Sequence, residues 1–367
     1  MSQPLVFRWG IISTGMIANV FVKDLLVDPK TRDVHDVVHK VTAIGSRSVT
    51  KAQEFIDSVL ESDKASAKAY GSYAEVYADK DVDVIYVATP HTYHYENAMD
   101  AIKAKKHVLC EKPVTVNAAE LRSLLAAAKE NNVFFMEAMW TRFHPLSLEF
   151  KEISESGVLG LPIAMHADLS VDFGIKDLPK THRILDPMLG GGPLLDLGPY
   201  PLVWAIMALF EHPSNKYSQP SISGSMVMTP ITGVDSNTSF TLSFSKADLS
   251  AQAVLSCSIN AAGLEPGATI RYEKGVIKIA GPLYCPQSFT VQYFEKGKVV
   301  REETRNFEYA GRGMHFQADE VARCVRDGKI ESEVWSHKKY LLEMDIFDEV
   351  RRQGGYVLPP GVEKVTA

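Results

Sequence analysis

The chain has 367 residues, 46% hydrophobic and 23% charged. This composition excludes a disordered or fibrous chain, and at about 150 residues per domain it implies two domains. A net charge of −6 argues against a nucleic-acid binder, and the apolar stretch Pro201 to Phe210 is far short of the ~20 residues of a membrane helix.

The first third alternates short apolar runs with helical patterns. Leu5 to Ile12 is predicted as a strand and Met16 to Val27 as an amphipathic helix. Val38 to Ser46 follows as a strand, then Val49 to Glu61 as a helix capped by Ser48. Ser72 to Ala78 is a short helix and Val82 to Thr89 a buried strand. His94 to Lys105 is helical, His107 to Glu111 a strand, Asn117 to Asn131 a helix and Val133 to Ala138 a strand. This alternation predicts right-handed βαβ units and a parallel sheet covered on both faces.

After Met139 the pattern changes. Val158 to Phe173, Ser239 to Ser258, Ala268 to Ile279 and Ser288 to Phe307 read as consecutive, mostly antiparallel strands. Turns such as Lys274-Gly275 and Lys296-Gly297 separate them. An apolar helix near Tyr200 to Phe210 interrupts this run, and helices over Phe316 to Arg326 and Ser336 to Gln353 end the chain. The expected architecture is α/β followed by α+β. A doubly wound, Rossmann-type domain over 1–139 precedes a domain over 140–367 with an open, mostly antiparallel sheet. One face of that sheet is covered by a helix; a second subunit would cover the other, so a homodimer is expected.

Cys110, Cys257, Cys285 and Cys324 have neither metal nor redox spacing and are expected as free thiols in a reducing, cytoplasmic setting. No signal peptide is expected from the start MSQPLVFRWG, and no HExxH or tight His/Cys/Asp cluster points to a metal.

Between the first strand and helix lies Ser13-Thr14-Gly15-Met16-Ile17-Ala18. It matches Gly-x-Gly-x-x-Gly/Ala with Ser13 in place of the first glycine. Gly15 would let the backbone approach a pyrophosphate, and the helix N-terminus would present free N–H groups to it. The second strand ends in Ser46 and Arg47, where an NAD enzyme would carry Asp or Glu. A guanidinium and a hydroxyl suit a 2′-phosphate, so NADP is expected over NAD. Thr89, Pro90, His91 and His94 follow the fourth strand, and Glu111, Lys112 and Pro113 follow the fifth. Both sets sit where open α/β sheets bind ligands. They are cofactor-site candidates; a helix-start hydrogen bond is the alternative for His91 and His94 and is favoured for His94.

The WGIISTG turn, the VATPHxxH strand end, the EKP tripeptide and the MWTRFHP segment (Met139 to Pro145) resemble the glucose–fructose oxidoreductase / inositol dehydrogenase (Gfo/Idh/MocA) family. So do HRILDP (His182 to Pro187), GGGPLLDLGPY (Gly190 to Tyr200) and QADEVARCVRDGK (Gln317 to Lys329), in order along nearly the whole chain. Within the family the resemblance runs to dimeric dihydrodiol dehydrogenases and fungal NADP-dependent D-xylose 1-dehydrogenases. These share tyrosine at the position of Tyr200, where inositol dehydrogenases carry histidine. The resemblance implies that Lys112 and Tyr200 are catalytic, that Asp196 lies beside the substrate, and that Trp140, Arg142 and Arg183 line or close the pocket.

Alcohol oxidation needs a hydride acceptor, a base and positive charge near the developing alkoxide. Tyr200 is the candidate base. With a free pKa near ~10 it needs a cation to favour the phenolate, which Lys112 can supply. Alternatively Lys112 takes the proton itself. Asp196 and Tyr200 are four residues apart and share a face if one helix carries both; Pro199 and Pro201 instead favour placing Asp196 in the approach to that helix. The expected reaction is NADP-dependent oxidation of an aldose such as D-xylose at C1, giving the lactone. The alternatives are a trans-dihydrodiol substrate, a sugar oxidoreductase or redox glycosidase that keeps its cofactor bound, and a non-catalytic NADP-binding regulator.

Overall fold

Strands that are apolar along most of their length need cover on both faces. In the structure, a computed structural model that describes residues 3–60 and 67–366, such strands build the first sheet. They are β1 (Leu5–Ile12), β2 (Val37–Gly45), β4 (Val84–Val87), β5 (His107–Cys110) and β6 (Phe135–Glu137), with the short edge β3 (Lys68–Tyr70). All pair in parallel, in the order β3-β2-β1-β4-β5-β6. The crossovers contain α1 (Met16–Leu25), α2 (Val49–Val59), α3 (Tyr73–Ala78), α4 (His94–Lys103) and α5 (Ala118–Asn131). Ser48, Ser72 and Asn117 cap α2, α3 and α5 through their side chains. Glu61, the expected end of α2, lies outside the described residues. Strand order reverses between β1 and β4, which opens a crevice at the carboxyl edge.

The second sheet has eight strands: β7 (Pro162–Ser170), β8 (Ser221–Met228), β9 (Asp235–Phe244), β10 (Ala251–Ser258), β11 (Ala268–Tyr272), β12 (Gly275–Ile279), β13 (Ser288–Glu295) and β14 (Lys298–Asn306). Their order is β14-β13-β12-β11-β7-β10-β9-β8, and every pair is antiparallel except β7–β10. Alternation sorts the faces: Phe240, Leu242, Ala253, Leu255, Met165 and Ala167 are buried, and Thr241, Val254 and His166 between them point to the other face. Helix α6 (Pro145–Glu155) packs on β13, and α7 (Pro193–Asp196) and α8 (Pro199–Ala205) cover β9, β10 and β7. A π-helical turn over Ile206–Phe210 continues α8. Among the described residues Pro187–Phe210 is long and apolar enough to cross a membrane; its apolar part is core of this unit.

The described residues pack as two units, and the expected boundary needs one correction. The first unit contains Met1–Trp140 but also Tyr309–Leu341 and Glu363–Ala367; the second contains Thr141–Glu308 and Leu342–Val362. The return of the chain is explained by ion pairs and hydrogen bonds. On α9 (Met314–Arg326), Asp319 pairs with Arg32 at 2.7 Å and with His39 at 2.9 Å, and Arg323 pairs with Asp36 at 2.8 Å. Asp24, on α1, accepts the main-chain N–H of Met314 at 2.8 Å and so caps α9. The division falls inside α10 (His337–Gly354), whose Phe347 meets Phe240 of the second unit edge to face.

Candidate active site

In the first unit, Ser13 closes β1 with φ +85°, the conformation a fingerprint glycine would adopt freely, and its N–H donates to the Gly45 carbonyl at 3.0 Å. Gly15 then starts α1. A Cβ there would meet only the Ser13 hydroxyl, at 3.6 Å, so packing within the protein does not demand glycine. The first turn of α1 has neither a side-chain cap nor an acidic residue, so its N–H groups suit a pyrophosphate, with Met16 and Ile17 in that turn. Thr14 and Ser46 meet hydroxyl to hydroxyl at 3.3 Å. Arg47 is exposed, and its charge is felt by Tyr73 at the start of α3, a neighbour the motif analysis did not include.

At the next strand end, Thr89 accepts a hydrogen bond from Asn97 at 3.0 Å, and Pro90 leads into a turn of 3-10 helix over His91–Tyr93. His94 requires a correction as a cofactor ligand. It is fully buried, and its ring nitrogens each lie 2.8 Å from a main-chain oxygen, of Pro113 and of Thr89. Burial pushes the imidazole down to about 4. His94 therefore joins two loops of the carboxyl edge and leaves no nitrogen for a ligand. His91 is half-buried, its ring 5.9 Å from that of His94.

Glu111 ends β5. One oxygen bonds the hydroxyl of Tyr86, on β4, and the other accepts the Lys112 main-chain N–H at 3.3 Å. Lys112 is half-buried, and its peptide bond to Pro113 is cis. Glu137, at the end of β6, is a buried carboxylate that motif reasoning missed. It accepts N–H groups from Val114 at 3.0 Å and from the Trp335 indole at 2.9 Å. Its signal was present: an acid inside the apolar run FFMEAMW. Trp140 is the last residue of this stretch of the unit and is 6% exposed.

In the second unit, Asp196 and Tyr200 stand on two successive short helices. α7 ends at Asp196, and Pro199 opens α8 in its first turn. The glycine just before α7 is explained by Asp235, on β9. Gly192 has φ +103°, and a Cβ there would lie 1.9 Å from the Asp235 carboxylate, which accepts the Leu194 N–H at 3.0 Å. Burial raises that carboxyl to about 6. Asp196 is buried and pairs with the half-exposed Arg183 at 3.1 Å. The Tyr200 ring lies 5.7 Å from that of Tyr284, another residue the motifs did not single out. Arg142 does not join this group. It is buried on Glu211 at 3.1 Å, and Lys151 completes that cluster at 2.8 Å from the same carboxylate. An open groove of about 720 Å³ between α6 and β13–β14, lined by Leu148, Glu152, Tyr293 and Arg301, contains none of the predicted residues.

The carboxyl edge of the first unit thus offers a helix start with uncapped N–H groups, an exposed arginine and a lysine beside two buried carboxylates. The second unit offers a phenol, a carboxylate and an exposed arginine. Residues 7–139 match the model for the oxidoreductase family with an NAD-binding Rossmann fold, and residues 147–278 match the GFO/IDH/MocA C-terminal domain. The chain is 37% identical to the D-xylose 1-dehydrogenase (NADP(+)) of Hypocrea jecorina, over 97% of this chain and 94% of that one. It is 36% identical to the trans-1,2-dihydrobenzene-1,2-diol dehydrogenase of Danio rerio, over 96% and 98% respectively. The fold is that of the 3-ketoreductase KijD10 from Actinomadura kijaniata, solved with NADP and TDP-benzene. The TM-score is 0.78 at 21% identity, covering 95% of this chain and 98% of that one.

Proposed function

The chain belongs to the Gfo/Idh/MocA oxidoreductase family, and we propose from that premise that it oxidises an aldose of the D-xylose type at C1 to the lactone, with NADP as cofactor. One observation carries the substrate class: likeness along the whole chain to a fungal D-xylose 1-dehydrogenase. The likeness to dihydrodiol dehydrogenases supports a second reading, oxidation of a trans-dihydrodiol by the same residues.

NADP+, when bound, supplies the hydride acceptor. Ser13 to Ile17 hold its pyrophosphate, and Ser46 with Arg47 hold the 2′-phosphate. Tyr200 accepts the proton of the substrate hydroxyl, and Lys112 supplies the positive charge that favours the phenolate. Asp196, oriented by Arg183 at 3.1 Å, accepts a hydrogen bond from a neighbouring sugar hydroxyl. Trp140 offers an apolar face to the sugar ring. The reaction fits a cytoplasmic setting, in which Cys110, Cys257, Cys285 and Cys324 stay free thiols.

The test is NADP+ reduction, followed by absorbance, across aldoses, polyols and trans-dihydrodiols. D-xylose is expected among the best substrates by kcat/KM. Lys112→Ala and Tyr200→Phe should each lower kcat by about 10²-fold or more with the fold intact by circular dichroism. Near-parental rates in both would remove the proposed proton-transfer centre. Binding of NADPH with no turnover of any sugar or diol would favour a regulator, and cofactor surviving gel filtration would favour an enzyme that recycles it in place.

A further inference from the structure

The main chain just after Lys112 is held at successive positions by buried side chains. Glu111 accepts the N–H of Lys112 at 3.3 Å, His94 lies 2.8 Å from the carbonyl of Pro113, and Glu137 accepts the N–H of Val114 at 3.0 Å. Glu137 is itself fixed by the indole N–H of Trp335 at 2.9 Å, from the segment between α9 and α10. Satisfying two N–H groups does not require a charge. A main-chain carbonyl or an amide would serve, whereas an acid with 0% exposure carries a large desolvation cost. Glu137 and Glu111 are also both close enough to interact electrostatically, and Lys112 is the cation that Glu137 feels.

We infer that Glu137 is a positioning residue for Lys112: it anchors the turn that carries the lysine, and its negative charge helps to hold the proton on the ammonium. The inference rests on the reading of Lys112 as the cation that favours the Tyr200 phenolate. Burial raises the Glu137 carboxyl to about 7, opposed by the Trp335 and Val114 hydrogen bonds and by Lys112, and assisted by Glu111. Other titratable groups at this cluster are Tyr86 on β4, His94 on α4, Cys110 on β5, and Glu331, His337 and Tyr340 at or just before the start of α10; Glu137, Glu331 and Cys110 each push the Tyr340 hydroxyl up. Burial thus moves the range in which Glu137 gains or loses its charge up from that of an exposed carboxylate. Above that range the carboxylate favours the ammonium form of Lys112; below it this attraction is lost.

The experiment measures the pH dependence of Lys112 acylation by acetic anhydride in the full chain, by peptide mass spectrometry, together with the kcat–pH profile. Glu137→Gln keeps an acceptor for Val114 and removes the charge. It should move the Lys112 titration down by about half a pH unit or more, move the matching limb of kcat in the same direction, and leave the NADP+ Kd within about twofold. Trp335→Phe removes only the indole donor. The carboxylate is then less stable, and both profiles should shift the same way by less. If Glu137→Gln does not fold, Trp335→Phe decides alone. A lower melting temperature with either profile unmoved overturns the inference, because a purely structural acid does that. Lys112→Ala separates the two levels. Near-parental kcat in that variant sinks the reading of Lys112 and this inference with it, whereas an inactive Lys112→Ala beside an unshifted Glu137→Gln sinks the inference alone.

Discussion

On the proposed reading, the choice between two dinucleotides rests on one side chain, Arg47. It is exposed just before Ser48 caps α2, while its neighbour Ser46 is buried against Thr14. A guanidinium free to swing onto a dianionic 2′-phosphate gains charge-assisted bonds that the NAD diol cannot offer. Arg47→Ala should therefore raise the KM for NADP+ about tenfold or more and leave that for NAD+ within about twofold; parallel kinetics with both cofactors would expose any error by an unchanged preference. Ser13, half-buried with φ +85°, and Gly15, exposed at the start of α1, are proposed to act in the same way on the pyrophosphate. His94 was harder to read. A histidine two places beyond Thr92 in a ligand-binding loop has the right chemistry and position for a cofactor contact. The sequence nevertheless favoured a helix-start hydrogen bond for it, and the fold shows both its nitrogens facing main-chain carbonyls.

Elements were legible in proportion to how strictly their burial repeats. β1 was expected over its observed Leu5–Ile12, and the Lys274-Gly275 and Lys296-Gly297 turns do divide β11 from β12 and β13 from β14. β8 went unread because SISGSMVM alternates serine with small or flexible residues and lacks the β-branched run that marks a strand. β3 is three residues long, and α6 begins at a proline inside a motif that was read for its chemistry. The position of α9 in the first unit was illegible for a different reason: long-range ion pairs leave no local pattern. Asp319 bridges Arg32 and His39, with all three side chains at most 3% exposed. The Trp9 indole donates to His39 Nδ1 at 3.1 Å, so the imidazole is neutral and presents Nε2–H to Asp319, and burial indeed lowers its pKa. Asp319→Asn would strand the Arg32 cation and should cost about 3–5 kcal/mol in urea denaturation at pH 7. Arg32 and His39 hold the Asp319 carboxyl below its usual range despite burial. Its contribution is thus fully present above the unfolded carboxylate pKa and is lost as pH falls through the folded value. The gap between variant and parent should narrow below about pH 5.

At the scale of the whole molecule, the outer face of the second sheet is the feature that has no layer over it within its own unit. Register places Ser223, Thr241, Val254, His166, Thr269 and Lys278 in one row across β8, β9, β10, β7, β11 and β12. Alternation puts this row opposite the face under α8, and Ser223, Val254 and His166 are exposed. The face spans eight strands and is short of charge near its centre, where hydroxyl groups and one valine dominate. A polar face of this kind is stable in water, but its extent and low charge suit an isologous contact in which the same row meets itself about a twofold axis. We therefore expect the chain to be a homodimer in solution, with a mass by light scattering twice that of one chain at micromolar concentration. Val254→Glu offers the sharper test. In an isologous contact each substitution is made twice, so two carboxylates enter one interface near its axis and must be desolvated together. The variant should dissociate at concentrations about a hundredfold higher than the parent while each chain keeps its melting transition. A parent that is already monomeric, or a Val254→Glu dimer as tight as the parent, would mean that this face is left to solvent.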